Sequence, residues 1–583
     1  MTGVGWREAA RRRLESEPFD LLVVGGGATG AAIARDAATR DLRVALCERG
    51  DFASQTSSQS SKLIHGGLRY LQHGDFRLVF ESLAERRRLL ETAPHLCRPR
   101  EFLYPCYAGR FPSPMLLSLG VGLYDALALW QAPVRSRSLD ADQIHRLAPW
   151  LRNAGLQGAQ QYVDCQTDDA RLVLENVLDA ITSGAVALSY VEIQPDLRRS
   201  DSFHVAQALD RERCERFEIR ARLMVNATGP FCDSFSGGSR KLRPTLGVHL
   251  VVDDDRLPTQ GRAVVVHSPR DGRLAFVLPA GRRTIIGTTE TDWPERPPRP
   301  EDEIRARRRD VEYLLELANH AFPPANLRPS DVISTFAGLR PLLDSGRANQ
   351  SATSREHAIW SDARGWLHVA GGKLTTMRSM AEEAVNRAIE MLCDRGLEGA
   401  LRPCRTRTRP LPGAGNHMGT LRGFAPPFGP PPAAASPLAA LASPPAMVRG
   451  RQSRPAPHAT SLGTVDLAPD IAAHLKETYG ARVDQVLALV TADGSLGGRL
   501  DRELPYVAAE LAFAIRSDLA CEVEDLLRRR VPLALFSKTH GLDVAEETAS
   551  LLARERGWSD QHRTQSLDQY RKSVFASRMW QDE

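Results

Sequence analysis

Three glycines near the start of the chain have the spacing of a nucleotide-binding turn. Gly25, Gly27 and Gly30 form G-x-G-x-x-G directly after the apolar residues 21–24. Such glycines allow a tight turn and let a pyrophosphate approach backbone N–H groups at the positive end of a helix. Glu48 lies 18 residues beyond Gly30, close to the roughly 20 residues expected for an acid that accepts hydrogen bonds from a ribose diol.

The flanking residues predict the elements that must position this turn. Residues 21–24 and 42–46 are apolar and predict two strands, and the small and aliphatic residues at 28–39 have helical spacing. A strand, a glycine turn, a helix, a second strand and an acid in this order predict a dinucleotide site on a parallel sheet. FAD is favoured over NAD as the cofactor because the motif lies at the beginning of the folded part of the chain.

Length and composition indicate an ordinary globular protein of several domains, with 583 residues, 42% hydrophobic and 25% charged. The net charge of +5, from 76 basic and 71 acidic residues, is too small to indicate a nucleic-acid partner. The nine cysteines are scattered without C-x-x-C, which argues against a disulfide framework or a metal site and favours a reducing compartment. The first 19 residues lack the apolar core and cleavage site of a secretory signal.

Two kinds of surface feature stand out. Arginine triplets at residues 11–13, 86–88, 307–309 and 528–530 lie in charge-mixed stretches with helical spacing and predict solvated helix faces. The longest apolar run, residues 115–130, is shorter than the roughly 20 residues that span a bilayer. It predicts a buried core helix, and the alternative is an interfacial helix, because Arg110, Arg135 and Arg137 flank it.

Composition also divides the chain. Residues 1–18 predict a helical extension and residues 19–412 a FAD-binding domain. Within that domain, two apolar stretches end in small residues, at 223–229 and 366–376. This pattern is typical of strands that end at a nucleotide-binding edge of a sheet. Two ordinary strand-to-helix turns would give the same pattern. If both stretches belong to the first unit, the strands predicted between them, at 263–267, 274–278 and 284–287, form an inserted substrate-binding domain. Residues 413–462 predict a Pro/Ala-rich linker, and residues 463–583 predict an all-helical domain.

Six segments in order resemble one family: TSSQSSKLIHGGLRYLQHGDFRLVFESLAER, YVDCQTDDARLVLENV, VNATGP, IIGTTETDW, FAGLRPL and VAGGKLTTMR. They are similar to the FAD-dependent glycerol-3-phosphate dehydrogenases of respiratory membranes over about residues 19–412, and more weakly beyond. The resemblance implies oxidation of sn-glycerol 3-phosphate to dihydroxyacetone phosphate, with FAD as cofactor and a membrane quinone as acceptor. It also implies an α/β fold: a glutathione-reductase-like FAD domain, an interleaved, mostly antiparallel β substrate domain and a helical C-terminal domain.

Oxidising a secondary alcohol with a flavin requires a hydride acceptor, a proton acceptor and positive charge for the phosphate. Within the matching segments, the candidate catalytic residues are His65, Arg340 and His249, although His249 also suits a buried, hydrogen-bonded histidine. Phosphate favours bidentate arginines, with lysine as a point charge, and the candidate substrate-binding residues are Arg69, Tyr70, Arg340, Arg355 and Lys373. The candidate cofactor-binding residues are Gly25, Gly27, Gly30, Glu48, Ser61, Lys62, Gly229, Gly372 and Thr376.

The resemblance further implies a cytoplasmic, peripheral location on the inner face of the cell membrane. Residues 115–130 are the first candidate for the membrane contact and the N-terminal helix with residues 11–13 is the second, while a homodimer is left open. A soluble glycerophosphate oxidase, which reduces oxygen to peroxide, would share the same motifs. Such oxidases usually carry an extra insertion, and no surplus segment lies between residues 291 and 373, which favours the dehydrogenase. An RNA-binding flavoprotein is a remote alternative, because only 6% of the chain is aromatic.

Overall fold

The computed structural model describes residues 5–128, 134–200, 203–237, 240–294, 303–344, 356–399, 401–415 and 467–583. Its strands are β1 (Pro18–Val24), β2 (Val44–Cys47), β3 (Leu63–Ile64), β4 (Arg98–Tyr107), β5 (Arg137–Leu139), β6 (Leu156–Gln166), β7 (Val186–Leu188), β8 (Val191–Ser200), β9 (Phe203–Asp210), β10 (Glu215–Asn226), β11 (Thr245–Asp253), β12 (Ala263–His267), β13 (Leu274–Ala280), β14 (Arg283–Gly287), β15 (Thr291–Asp292), β16 (Val332–Arg340), β17 (His357–Ser361) and β18 (Trp366–Gly371). Its helices are α1 (Gly5–Ser16), α2 (Ala28–Thr39), α3 (Phe76–Thr92), α4 (Pro114–Leu127), α5 (Ala141–Leu147), α6 (Asp169–Thr182), α7 (Arg308–Ala321), α8 (Met377–Cys393), α9 (Pro469–Tyr479), α10 (Val483–Ala492), α11 (Ala508–Ser517), α12 (Leu533–Phe536), α13 (Ala545–Arg556) and α14 (Asp560–Arg578).

The first sheet contains the predicted nucleotide-binding unit. Its main strand order is β17-β18-β10-β1-β2-β7, and β1 pairs in parallel with both β2 and β10. Both faces of β1 are buried: Leu21 and Val23 pack in one core and Phe19, Leu22 and Val24 in the other. This explains why the strand is almost continuously apolar. The strands within residues 223–229 and 366–376 are β10 and β18, which lie in this same sheet.

Helices α2, α6 and α8 pack together on one face of the first sheet. Helix α2 covers Ala28–Thr39, the range that the sequence predicts, and its alanines combine high helix propensity with close packing. Helix α1 packs on the other face, against β7 and β10. The N-terminal extension is therefore part of the core of this domain, through Leu14 and the buried side chains of Arg7 and Arg11.

The second sheet is mostly antiparallel and has the main order β15-β11-β14-β13-β12-β4-β6-β3, with β16 paired to β11 and β5 to β6. One face packs against α7, and the other packs against α3 and α4. The predicted strand at residues 263–267 is β12. Residues between β10 and β18 thus supply most of a separate sheet that faces the nucleotide unit.

The C-terminal region is helical, as predicted, with α9 to α14 and a π-helical turn at Asp525–Arg530. It packs against both sheets through contacts such as Ser334 Oγ, which donates to the Leu535 carbonyl at 2.6 Å. Of the predicted linker, residues 416–462 lie outside the described residues.

The prediction of solvated helix faces for the arginine triplets is wrong for several members. Arg86 and Arg530 are 3% and 4% exposed, because their guanidinium groups pair with the buried carboxylates of Asp164 and Asp51. Arg11 is also buried and stacks over the Phe217 ring at 3.5 Å. A local charge pattern cannot show that a buried acid lies opposite, so the outcome depends on tertiary contacts.

The prediction that residues 115–130 form a buried core helix is also wrong in part. Helix α4 buries Leu117, Val121 and Tyr124, but Met115 and Leu119 are 75% and 66% exposed. The helix therefore presents an apolar face to solvent. In the described part of the chain, no helix has the length and apolar character needed to span a membrane.

Candidate active site

A cleft of about 560 Å³ opens where the parallel strands of the first sheet end at their carboxyl edge. This edge is where open α/β sheets bind nucleotides. Five predicted cofactor residues line the cleft: Gly25, Gly27, Glu48, Gly229 and Gly372. They come from the ends of β1, β2, β10 and β18, so the fold brings together segments that are far apart in the chain.

Gly25 and Gly30 allow the tight turn at the start of α2. Gly25 has a φ of +105°, and a Cβ on it would lie 2.6 Å from the Ala227 carbonyl oxygen. A Cβ on Gly30 would lie 1.8 Å from the Gly25 carbonyl oxygen. Only glycine permits both approaches, so the turn brings the N-terminus of α2 to the edge of the cleft.

Gly27 has a different role because its missing side chain leaves room within the cleft. It is the N-cap of α2, and a Cβ there would meet only the Ser57 hydroxyl, at 3.0 Å. The Ser57 Oγ accepts a hydrogen bond from the Ala28 N–H at 2.9 Å. The open space and the helix N-terminus fit a pyrophosphate group.

Glu48 is held rigidly at the other side of the turn. Its carboxylate accepts hydrogen bonds from the N–H groups of Gly26 (2.6 Å) and Gly50 (2.8 Å). Burial raises the pKa of the Glu48 carboxyl, and these two donors act in the opposite direction. The site thus combines a glycine turn at a helix N-terminus with an oriented acid, and these residues fit an adenine dinucleotide.

A second, smaller cavity of about 120 Å³ lies against the mostly antiparallel sheet. His65, Tyr70, Ser61 and Arg340 line it, together with aromatic residues such as Phe276. It adjoins the larger cleft, because Arg340 lines the cavity while its neighbour Pro341 lines the cleft. The arrangement can hold a small polar molecule beside one end of a bound dinucleotide.

Arg340 ends β16 and is oriented by the turn after β14. Its guanidinium donates to the Thr288 hydroxyl at 2.7 Å and to the Thr289 carbonyl at 3.2 Å. Thr288 also lines the cavity. These bonds fix a planar donor group at the cavity wall, where it can bind an oxygen of a small ligand.

Lys373 connects the two spaces. It lines the cleft just after Gly372, and its ammonium lies 3.8 Å from the centre of the Tyr70 ring, which lines the cavity. The ammonium also donates to the Ser82 hydroxyl at 3.1 Å. A cation held in this way is suited to bind a phosphate as a point charge.

His249 does not line the cavity itself but reaches it through Ser61. The His249 Nε2 and the Ser61 Oγ share a hydrogen bond of 2.8 Å, and the imidazole stacks on the Phe336 ring at 4.6 Å. Burial, followed by the nearby cations Arg340 and Lys62, lowers the pKa of His249 well below its ordinary value. The ring is therefore neutral at pH 7, and the same surroundings disfavour its imidazolium form.

His65 lines the cavity directly. Its backbone N–H donates to the Thr375 hydroxyl at 3.1 Å, and that hydroxyl lies 3.2 Å from the His65 carbonyl. The contact ties the segment around His65 to the start of α8. Both predicted histidines thus have access to the cavity, one directly and one through a hydroxyl.

Some predicted cofactor residues lie elsewhere. The Lys62 ammonium pairs with the Asp169 carboxylate at 2.5 Å, and the Thr376 hydroxyl donates to the Lys373 carbonyl at 3.3 Å. Neither residue lines the cleft, and Ser61 lines the smaller cavity. Arg69 lies on a 3₁₀ turn at Leu68–His73, with its side chain outside the described part. Arg355 also lies outside the described residues.

Among the cavity residues that were not predicted from the sequence, Thr288 and Asp164 make specific polar contacts. Thr288 orients Arg340, and Asp164 lines the cavity while accepting hydrogen bonds from Tyr124 at 2.8 and 2.9 Å. Burial raises the pKa of Asp164, although Arg86 opposes the shift. Both residues lie in segments that carry the family resemblance, IIGTTETDW and YVDCQTDDARLVLENV. Their position in these segments was the sequence feature that could have identified them as site residues.

Comparisons with known proteins agree with this geometry. A family described as FAD dependent oxidoreductase matches residues 20–387, and the C-terminal domain of alpha-glycerophosphate oxidase matches residues 404–563. The aerobic glycerol-3-phosphate dehydrogenase of Staphylococcus aureus (strain USA300) is 32% identical over 558 residues, which cover 94% of this chain and 92% of the relative.

Solved structures of FAD-containing enzymes are also similar to this chain. The glycerol-3-phosphate dehydrogenase from Bacillus halodurans complexed with FAD superposes with a TM-score of 0.73 at 27% identity, covering 99% of this chain and 98% of that one. An L-alpha-glycerophosphate oxidase from Mycoplasma pneumoniae with FAD bound shares the fold, with a TM-score of 0.53 at 18% identity, covering 68% of this chain and 99% of that one.

The chain belongs to the FAD-dependent oxidoreductases and, within them, to the glycerol-3-phosphate dehydrogenase and oxidase family. The predicted family, the mixed α/β FAD-binding fold with its helical C-terminal region, and FAD as the cofactor are confirmed.

Proposed function

We propose that this enzyme oxidises sn-glycerol 3-phosphate to dihydroxyacetone phosphate and passes the electrons to a membrane quinone. The observation that carries the proposal is the adjoining pair of spaces, a dinucleotide cleft and a small cavity with Arg340 in its wall and Lys373 between the two. The curated relatives at 32% identity are aerobic glycerol-3-phosphate dehydrogenases.

The phosphate of the substrate would lie near Lys373 and Tyr70. The ammonium over the Tyr70 ring supplies positive charge, and the phenol adds a hydrogen-bonding group at the same wall. Arg69 and Arg355 would supply bidentate donors, which match the geometry of a phosphate. Since a phosphate monoester carries close to two negative charges at pH 7, several cations in one place are needed to hold it.

The alcohol end of the substrate would then lie beside Arg340. Bound FAD supplies the acceptor for the hydride from C2. Arg340 orients the hydroxyl oxygen through its guanidinium, and the hydroxyl proton passes to His65 directly or to His249 through Ser61. Because the lowered pKa of His249 disfavours its imidazolium form, direct transfer to His65 is the simpler of the two routes.

The remaining cofactor residues have separate roles in this proposal. Gly25, Gly27 and Gly30 place backbone N–H groups at the pyrophosphate, and Glu48 binds the adenosine ribose. Gly229 and Gly372 line the cleft, where their lack of a side chain would let backbone approach the flavin. The other three predicted residues do not line the cleft. Ser61 lines the smaller cavity, Lys62 pairs with Asp169, and the Thr376 hydroxyl donates to the Lys373 carbonyl.

One experiment tests the reaction and the acceptor together. The purified yellow protein, mixed anaerobically with sn-glycerol 3-phosphate, should lose its flavin absorbance as the cofactor is reduced. A ubiquinone analogue should then restore the absorbance faster than air-saturated buffer does. Repeating the reductive step with His65→Asn and His249→Asn identifies the proton acceptor as the slower variant. No bleaching with this substrate would refute the proposed function.

A glycerophosphate oxidase is the second candidate. The match of residues 404–563 to a domain named for alpha-glycerophosphate oxidase favours it specifically. In the same experiment, reoxidation by oxygen that outpaces the quinone analogue and releases one peroxide per substrate would select the oxidase.

A quinone dissolved in a bilayer requires the enzyme to reach the membrane surface, and the exposed side of α4 is the proposed contact. Phe111, Met115, Leu116, Leu119 and Leu123 are exposed there. Phe76 and Phe80 of neighbouring α3 extend this apolar face. Exposed arginines at its edge, such as Arg110 and Arg137, would attract anionic lipid head groups. Helix α1 is less suited, because Arg11 is buried against the protein.

Substituting exposed residues of this face should weaken membrane binding. Each apolar side chain buried at the interface contributes about 1.5–3 kcal/mol, so Met115→Ser, Leu116→Ser and Leu119→Ser together should lower vesicle binding roughly 10³-fold or more. Leu117 is left unchanged because it packs in the core. Flotation with phosphatidylcholine and phosphatidylglycerol vesicles measures the effect.

Leu542→Ser with Phe575→Ser provides a matched control, because both side chains are exposed on the C-terminal domain. This variant should float like the unmodified protein. Equal flotation of the α4 variant would show that the membrane contact lies elsewhere.

A further inference from the structure

A loop at the edge of the FAD cleft, residues 48–54, is joined to the glycine turn. Glu48, Arg49, Gly50, Ala53 and Ser54 line the cleft. Besides the bonds of Glu48 to this turn, the Ala53 N–H donates to the Gly26 carbonyl at 3.1 Å. Any shift of this loop would therefore move both the acid and the turn that face the adenosine half of the cofactor.

Asp51, in the middle of this loop, contacts the C-terminal domain. Its carboxylate accepts hydrogen bonds from Arg529 Nε at 2.5 Å and from two nitrogens of Arg530 at 2.7 and 2.8 Å. Burial alone would raise the pKa of Asp51, but Arg530 and Arg529 outweigh burial and hold the pKa below its ordinary value. Asp51 is therefore ionised and fixed between two guanidinium groups.

A second segment of the cleft wall, next to this loop, is attached to the same C-terminal segment. Tyr190 donates its backbone N–H to the Gly50 carbonyl at 2.9 Å and its hydroxyl to the Asp525 carboxylate at 2.7 Å. Asp525 also accepts a hydrogen bond from Arg529 at 2.7 Å. Residues 191–193, which follow Tyr190, line the cleft. Two segments that line the cleft, residues 48–54 and 191–193, are thus connected to one buried cluster of charged side chains.

The composition of this cluster distinguishes it from ordinary domain packing. The C-terminal domain already has an apolar core around Leu526, Leu527 and Val531. Burying ions is costly unless each charge is paired and hydrogen-bonded. The two carboxylates and two guanidinium groups of this cluster pair with one another. The groups outside the C-terminal domain that they hold are the Asp51 carboxylate and the Tyr190 hydroxyl, which belong to or directly precede segments that line the cleft.

We propose that the C-terminal domain helps the enzyme to retain FAD. Arg529 and Arg530 hold Asp51, and Asp525 holds Tyr190. These two contacts keep the adenosine end of the cleft in its binding conformation. These are positioning residues, since they act through the loop and through residues 191–193. The inference deepens the proposed function and concerns cofactor affinity rather than the oxidation step.

The test measures how fast the holoenzyme releases FAD. Dilution of the yellow protein into buffer, followed by the rise of free-flavin fluorescence, gives the rate for each variant. Asp51→Asn removes a charged acceptor and should speed release about 10- to 100-fold. Tyr190→Phe removes a single hydroxyl while keeping the aromatic ring, and it should speed release about 3- to 10-fold.

Asp518→Asn is the matched control. Asp518 is an equally buried carboxylate of the C-terminal domain, and it pairs with Arg171 and with Arg482 at 2.7 Å. None of these three residues lines the described part of the cleft. The Asp518 carbonyl accepts a hydrogen bond from Arg530 Nε at 3.0 Å, and this backbone contact is retained when only the side chain is changed. The control should lower the unfolding temperature and release FAD at the unmodified rate.

If Asp51→Asn and Tyr190→Phe release FAD no faster than Asp518→Asn, the cluster serves only to dock the domains and the proposal fails. Tyr190→Phe alone decides the matter if Asp51→Asn does not fold. Because no substrate is present, this result is independent of whether sn-glycerol 3-phosphate bleaches the flavin.

Discussion

Replacing Gly27 with valine should give a folded protein that lacks its yellow colour. The new side chain would project from the N-cap of α2 into the cleft, with its Cβ 3.0 Å from the Ser57 hydroxyl. It would occupy the space where the pyrophosphate is proposed to meet backbone N–H groups. Losing two charge-assisted hydrogen bonds, at about 1.5–3 kcal/mol each, weakens binding roughly 10²- to 10⁴-fold. Flavin absorbance per chain after desalting measures the loss.

Gly494→Val supplies the control for this experiment, because a Cβ on Gly494 has no neighbour within 4 Å. It should keep a full complement of FAD. Gly30→Val is unsuitable, since its Cβ would collide with the Gly25 carbonyl and disrupt the turn itself. A soluble Gly27→Val protein with one FAD per chain would refute the assignment of this turn to the pyrophosphate.

Removing either Arg340, in the cavity wall, or Lys373, between the cavity and the cleft, should cost most of the catalytic efficiency. Arg340→Ala and Lys373→Ala each remove a charged partner worth about 1.5–3 kcal/mol, which lowers kcat/KM roughly 10- to 150-fold. Lys373 is proposed to bind only the phosphate, so its loss should mainly raise KM. Arg340 is proposed to lie at the reacting hydroxyl, so its loss should mainly lower kcat. Steady-state kinetics with a quinone analogue separates the two effects.

Exposed cations away from the cavity serve as controls for these substitutions. Arg282 lies at the turn between β13 and β14, with its side chain 60% exposed, and Lys476 is exposed on α9. Arg282→Ala and Lys476→Ala should retain full efficiency. Near-normal kinetics in both Arg340→Ala and Lys373→Ala would exclude the proposed phosphate and hydroxyl site.

Local pattern was sufficient to predict the nucleotide unit. The glycine spacing, the apolar strand before it and the alanine-rich helix after it are set by short-range sterics and side-chain periodicity. The sequence alone therefore predicted α2 and β12 with their observed bounds and the helical character of the C-terminal region. It also identified the family, because several motifs occur in order, and with it the FAD cofactor.

Only the tertiary structure decided which polar groups meet. Ser61 and His249 are 188 residues apart but share a hydrogen bond, and Asp51 meets Arg530 across 479 residues. No periodicity records such a pairing, so arginines expected at the surface proved to be buried against carboxylates. The exposure of α4 likewise depended on how much of the helix the second sheet and α3 could cover. Burial of a charge or an apolar side chain is decided by the surface that packs against it, and distant parts of the chain supply that surface.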